Sequence, residues 1–170
     1  VSSTWEGRSL FGADTDYTLG FQTHNDYIWD LELARTRQRS DLANVRTDDV
    51  FTGNYALYAS ANTSWNDWFR TEIGLRGELF YFDVNSNNPA NSGDDFDGTV
   101  VPKLNMIFGP WANTEYYINL GGGFHSNDAR GVTLNIDPVT GLPAAGVDPI
   151  ARTWGAEVGM RSEWFDCLTT

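Results

Sequence analysis

The chain has 170 residues but only one cysteine, Cys167, and of its eleven basic residues only Lys103 is a lysine. A lone thiol excludes an internal disulfide and a cysteine-built metal site. No run of about 18 uncharged apolar residues occurs, which excludes a transmembrane helix. Positive charge is scarce: Lys+Arg 11 stand against Asp+Glu 23, for a net charge of -12. That balance argues against a nucleic-acid partner, because phosphate binding needs a basic surface. The chain opens Val1-Ser2-Ser3 with no initiator Met, basic n-region or apolar h-region. The expectation is therefore a mature protein or a piece of one.

What is present is aromatic. Trp 7, Tyr 7 and Phe 10 make up 14% of the chain, within a hydrophobic share of 41%. A disordered acidic chain would lack such groups. Their spacing has a period of two. Phe69, Thr71, Ile73, Leu75, Gly77, Leu79 and Tyr81 alternate with Arg70, Glu72, Gly74, Arg76 and Glu78, until Phe80 and Phe82 break the rule. Successive strand side chains leave opposite faces, so this segment predicts a strand with one apolar and one charged side. At about 3.3 Å per residue it would run to nearly 50 Å. Arg152–Trp164, Asn113–Phe124, Tyr55–Thr63 and Tyr17–His24 repeat the alternation, and Leu104–Phe108 adds a shorter set.

The connections alternate in length. Gly12-Ala13-Asp14, Asn66-Asp67 and Gly109-Pro110-Trp111-Ala112 are tight, whereas the stretches from about Asp26 to Asp49, Asn85 to Gly98 and His125 to Ala151 are long and polar. An extra hairpin around Leu31 to Arg39 fits the first of these. In an antiparallel meander such alternation collects short turns on one rim and long loops on the other, the layout of a transmembrane β-barrel. Trp65, Trp68, Trp111 and Trp164 lie beside the short turns, where an interfacial girdle belongs. Arg70, Glu72, Arg76, Glu78, Glu157, Arg161 and Glu163 would line a polar lumen. A soluble sandwich or a lipocalin-type barrel also alternates and stands as the rival.

The run F-G-P-W-A-N-T-E-Y-Y-I-N-L-G-G-G-F-H-S-N-D-A-R-G (Phe108 to Gly131), followed by V-D-P-I-A-R-T-W-G-A-E-V-G-M-R (Val147 to Arg161), resembles the barrel of TonB-dependent outer-membrane receptors. Trp65 to Arg76 is similar to that family's periplasmic turn and following strand, and Val101-Pro102-Lys103-Leu104 to its next descending strand. The resemblance covers most of the chain from about Phe21 and is densest in the second half. It implies an all-β, antiparallel transmembrane barrel segment of about seven to nine strands, part of a barrel of ~22. It implies a place in the Gram-negative outer membrane, with its lipid, TonB and a small ligand such as a ferric siderophore as partners. Members carry an N-terminal plug and a TonB-engaging segment, neither of which precedes Val1. An aromatic-ended closing strand is also missing at Leu168-Thr169-Thr170. The expectation is one partial barrel domain, 1–170, without its plug. A complete small outer-membrane barrel, as adhesin or anchor, is the alternative.

Residues that could carry chemistry are few. Asp94, Asp95 and Asp97 crowd one loop, and carboxylates at alternate positions can ligate calcium, yet the remaining ligands of a calcium loop are missing. His24 and His125 sit at strand ends, where a neutral imidazole could touch a metal chelate or simply bond at the rim. His125, Asn127, Asp128 and Arg130 lie in the stretch of closest resemblance and are candidates for loop gating or ligand contact. Asn127, Asp128 and Gly131 are also ordinary turn formers. Gly121-Gly122-Gly123 would ease close packing or bending of a strand. No catalytic serine, histidine and aspartate set and no phosphate loop occurs, so no enzyme and no cofactor is expected.

Overall fold

The fold, a computed structural model, describes residues 1–164 and 168–169; Cys167 and Thr170 lie outside the described residues. Its strands are β1 (Ser2–Leu10), β2 (Ala13–Arg37), β3 (Ser40–Asn66), β4 (Phe69–Ser86), β5 (Gly93–Trp111), β6 (Thr114–Ser126), β7 (Ile150–Trp164) and the two-residue β8 (Leu168–Thr169). A 3-10 turn, Pro89–Asn91, and a single helical turn, α1 (Ala129–Val132), are the other regular elements. Each strand pairs antiparallel with the next in one sheet, in the order β1 to β8. The all-β antiparallel expectation is therefore met. Among the described residues the sheet is open: β1 and the last strands are its edges and do not pair with each other.

The tight connections owe their geometry to backbone twist. Phe11-Gly12, Gln38-Arg39 and Ala112-Asn113 each hold two successive residues at positive φ, between 49° and 88°. That pairing matches the right-handed twist of the flanking strands. Between β3 and β4 the turn is closed instead by Asn66, whose side-chain oxygen accepts the Trp68 N–H at 3.0 Å.

Two expected loops are corrected. The stretch from Asp26 to Asp49 is no loop, because β2 and β3 stay paired from Asp14↔Ser64 to Arg37↔Ser40. From Arg35 to Asn44 the two-stranded tip is exposed throughout, so nothing selects apolar residues there, and the alternation that marks a half-buried strand is lost. The loop from Asn85 to Gly98 shrinks likewise, since β4 and β5 remain paired up to Val84↔Gly93. The third long connection, residues 127–149, does leave the sheet.

That connection folds back on the face shared by Val50, Phe82 and Val84, which form with Ala129 the small apolar core, flanked by Leu31 and Phe80. Phe80 and Phe82 break the polar alternation of β4 because this loop covers them. Fully buried Asn91 clasps it: its Nδ2 donates to the Ile136 carbonyl at 2.9 Å, and its Oδ1 accepts the N–H of Asn135 and of Ile136. The three-glycine stretch of β6 also has a steric reason, since a Cβ on Gly122 would meet the Pro102 ring at 3.2 Å. β6 approaches β5 closely there.

Candidate functional site

Register decides which side chains share a face. Arg70, Glu72, Gly74, Arg76 and Glu78 of β4 stand opposite Ser64, Asn62, Ser60, Tyr58 and Ala56 of β3, and opposite Ile107, Asn105, Lys103, Val101 and Thr99 of β5. β6 continues that face with Tyr117 and Asn119, and β7 with Glu157 and Arg161. The seven charged residues assigned to a lumen thus lie on one face.

Those charges are joined across strands. Glu115 accepts from Arg70 and from Arg161, each at 2.5 Å. Lys103 pairs with Glu72 at 3.3 Å, and Asn105 donates to the same carboxylate at 2.8 Å. Arg76 pairs with Glu78, which also accepts from Asn54 at 2.7 Å. Glu157 accepts from Tyr117 and Asn119. Glu163 shares a shallow cleft with Glu115 and Arg161. Charges with hydrogen-bonded partners can be withdrawn from bulk water at tolerable cost. Glu115 is the hub of this face and was not among the expected lumen residues. Its place in the alternation with Tyr117 and Asn119 was the available signal.

The opposite face is the reverse. Leu57, Ile73, Leu75, Leu79, Val100, Val158 and Met160 project from it, from 46% to 79% exposed. Soluble monomers rarely expose a contiguous apolar patch beyond a few hundred Å². Aromatic side chains flank this zone at both ends. At the turn end Trp68 stacks on Trp111 at 6.1 Å and Phe69 on Phe108 at 5.0 Å, while the Trp65 indole donates to Thr71 at 2.8 Å. Trp164 ends β7 on the same side and is 54% exposed. At the loop end Tyr27 stacks on Trp29 and lies 4.5 Å from Phe51, which in turn meets Tyr81.

This second band was not foreseen. Its members come from β2, β3 and β4, and only register brings them together. The run Thr71–Leu79 separates the two bands on β4, about 30 Å along the strand. Tilted by about 40°, it spans roughly 23 Å of height, close to the ~25 Å apolar band of outer-membrane barrels.

The loop candidates separate. Asn127 donates to the Asp148 carbonyl at 2.7 Å, fastening one end of the connection to the other. Asp128 caps α1 by accepting the Arg130 N–H and also pairs with the Arg130 guanidinium at 2.8 Å. That side-chain hydrogen bond holds the Asp128 carboxyl below the usual carboxylate range, against the opposing effect of partial burial. The Arg130 carbonyl accepts from Arg46, which forms a buried pair with Asp48. His125, the penultimate residue of β6, stands opposite Ala151 and is not joined to this group. His24 instead bonds Asp26 at 2.8 Å and shares a cavity of about 320 Å³ with Asn54, Phe80, Asn127 and Asp128.

Asp95 and Asp97 share a face of β5, but Asp97 is held by Arg152 at 3.0 Å. Among the described residues no group of three or more acidic, histidine or cysteine side chains could hold a metal ion. No helix there is long and apolar enough to cross a membrane, which says nothing of crossing by strands. Neither the protein-family models nor the curated proteins compared with this chain match it.

Proposed function

We propose that this chain is a membrane-spanning β-barrel segment of an outer-membrane TonB-dependent receptor, serving active uptake of a scarce ligand such as a ferric siderophore. One observation carries the membrane part: an exposed apolar face bounded by two aromatic bands, spaced as a bilayer requires, backs onto a face of partnered charges. Lipid takes the first face and a hydrated interior the second. A lipocalin-like reading needs the opposite arrangement, an apolar interior and a polar exterior. Among the described residues β1 has an open edge, and β7 is paired on its outer side only by β8, at Glu163 and Trp164. That favours a segment of a larger barrel over a closed small one, because unpaired strand edges are not tolerated in hydrocarbon. The receptor part rests on the resemblance carried by Phe108–Gly131 and Val147–Arg161.

In this reading the short turns face the periplasm and the 127–149 connection faces outward. Cargo would meet the cavity beside His24 and Asp128 first. The charged face would hold a plug through the groups centred on Glu115. The test is to fold the chain into vesicles whose lipids carry bromine on the acyl chains. Quenching of Trp65, Trp68, Trp111 and Trp164 with outer-membrane fractionation in cells is the expected result. A monodisperse chain, soluble without detergent and unquenched, would sink it.

A further inference from the structure

The cations of this chain divide by partner. Every one from Arg46 onward lies within salt-bridge distance of a carboxylate. Among the described residues the cations without such a partner are Arg8, Arg35, Arg37 and Arg39, and three of these crowd the tip of the β2–β3 hairpin. All three are exposed. Arg35 and Arg37 alternate on β2, whose ladder to β3 pairs Arg35 with Ala43 and Arg37 with Ser40. The extra residue of the irregularity between them is Leu42 on β3, so both guanidiniums leave β2 on the same side. Arg39 projects from the turn itself, at φ 66°. Asp41 pairs with Thr36 and so leaves the ribbon on the face opposite Arg35 and Arg37.

Elsewhere the chain repels anions, with its net charge of -12. A local excess of unpaired cations then concentrates a multivalent anion at one place. The cation used is arginine, whose planar fork grips phosphate oxygens two at a time. The tip also stands apart from the aromatic band at Tyr27. Arg35 lies about 25 Å further along β2, roughly 19 Å of height at the same tilt of about 40°, whereas a headgroup layer adds only ~5–8 Å beyond the hydrocarbon. The surrounding phospholipid headgroups are out of reach. We propose that Arg35, Arg37 and Arg39 form a binding site for a soluble, multivalent, phosphate-bearing anion. The membrane reading enters only in placing the tip outside the headgroup layer.

The test is a calorimetric titration of the full chain, in neutral detergent at low salt, with inorganic tripolyphosphate. Wild type should bind, and more weakly as salt rises. R35Q/R37Q/R39Q should weaken binding by on the order of tenfold or more. R35K/R37K/R39K, which keeps the charge but loses the forks, should fall between. R8Q should leave binding unchanged. Circular dichroism checks the sheet in each variant, and R37Q alone replaces the triple change if the sheet is lost. Equal binding by wild type and the glutamine variant overturns the proposal. So does an equal loss in R8Q, or binding to phosphatidylglycerol vesicles with none to tripolyphosphate. A chain that binds tripolyphosphate yet stays out of lipid refutes the membrane reading and leaves this site standing.

Discussion

The two faces of β4 are built from neighbouring residues yet follow opposite rules. Leu75 is 55% exposed while Glu78, three positions on, is 6% exposed. On one face the leucines and isoleucine touch little protein; on the other every charge from Arg70 to Glu78 has a partner on its own strand, on β5 or, across β5, on β6. In a water-soluble sheet the apolar face is packed and the charged face is free. The inversion is what the proposed membrane reading requires, with water on one face and lipid on the other. Partnering is the mark of the polar side, and the lack of it marks the apolar side.

The largest effect is expected where the polar side is most enclosed. Asp48 and Arg46 are 0% and 6% exposed in their side chains, and Arg46 Nη2 already lacks a hydrogen-bond partner. Asp48→Ala strands a buried guanidinium beneath the 127–149 connection, at a cost of about 3–5 kcal/mol. Urea unfolding in vesicles measures it. A loss under about 1 kcal/mol would mean that water reaches this pair, and the contrast with the outer face would weaken.

The outer face offers the converse change. Leu75 lies midway between the aromatic bands, so Leu75→Arg should cost about 2–4 kcal/mol in a bilayer. Asn62→Arg sets an arginine opposite Glu72 on the polar face, and should cost less than about 1 kcal/mol. Folding yields and unfolding midpoints of the two variants, compared in the same vesicles, decide the matter. Equal costs would break the two-solvent reading. A smaller effect belongs to the turn-end band. Trp68→Ala removes its stacking on Trp111 and its tilted ring contact with Phe69, worth about 1 kcal/mol beyond area. The same change at Trp164, which has no ring contact among the described residues, should cost less.

The zone between the aromatic bands was the readable part of the sequence. There one side chain in two is apolar, so Ile73, Leu75 and Leu79 or Val158 and Met160 declare the strand and its faces together. The turn-end tryptophans were readable because each lies beside a tight turn. What lay beyond reach depends on register. Tyr27, Phe51 and Tyr81 form a band only once three strands are aligned. The hairpin tip from Arg35 to Asn44 carries no alternation because no neighbour covers it. Glu115, the hub of the charged face, looks like any other polar position until β4 and β7 bring Arg70 and Arg161 to it. The loop candidates were readable as residue types but not as roles. Asn127, Asp128 and Arg130 fasten the loop, whereas His24, the less favoured histidine, shares the cavity with Asp128.

The smallest expected effect is one of pH, and it sets a loop held by charge against strands held by their ladder. Hydrogen bonding to Arg130 depresses the Asp128 carboxyl below its ordinary 3.8. A carboxyl lowered on folding stabilises the folded form above its unfolded value, and that stabilisation fades as pH falls through the folded value. Protection of the 127–149 amides from hydrogen exchange should therefore be constant near neutrality and decline in the acid range below pH 3.8, once corrected for intrinsic exchange. Asp128 is more than half exposed in its side chain, so solvent screening keeps the change modest. Asp137 contributes in the same direction, because the Thr140 and Val139 N–H groups lower its carboxyl too. Asp128→Asn keeps an acceptor for the cap but removes the charge, and should flatten most of the decline near α1 while leaving that near Asp137. The β4 amides, held by cross-strand bonds that do not titrate, should stay protected throughout. An equal loss of protection in β4 and in the loop would mean that acid opens the whole sheet at once, and the loop would have no separate latch.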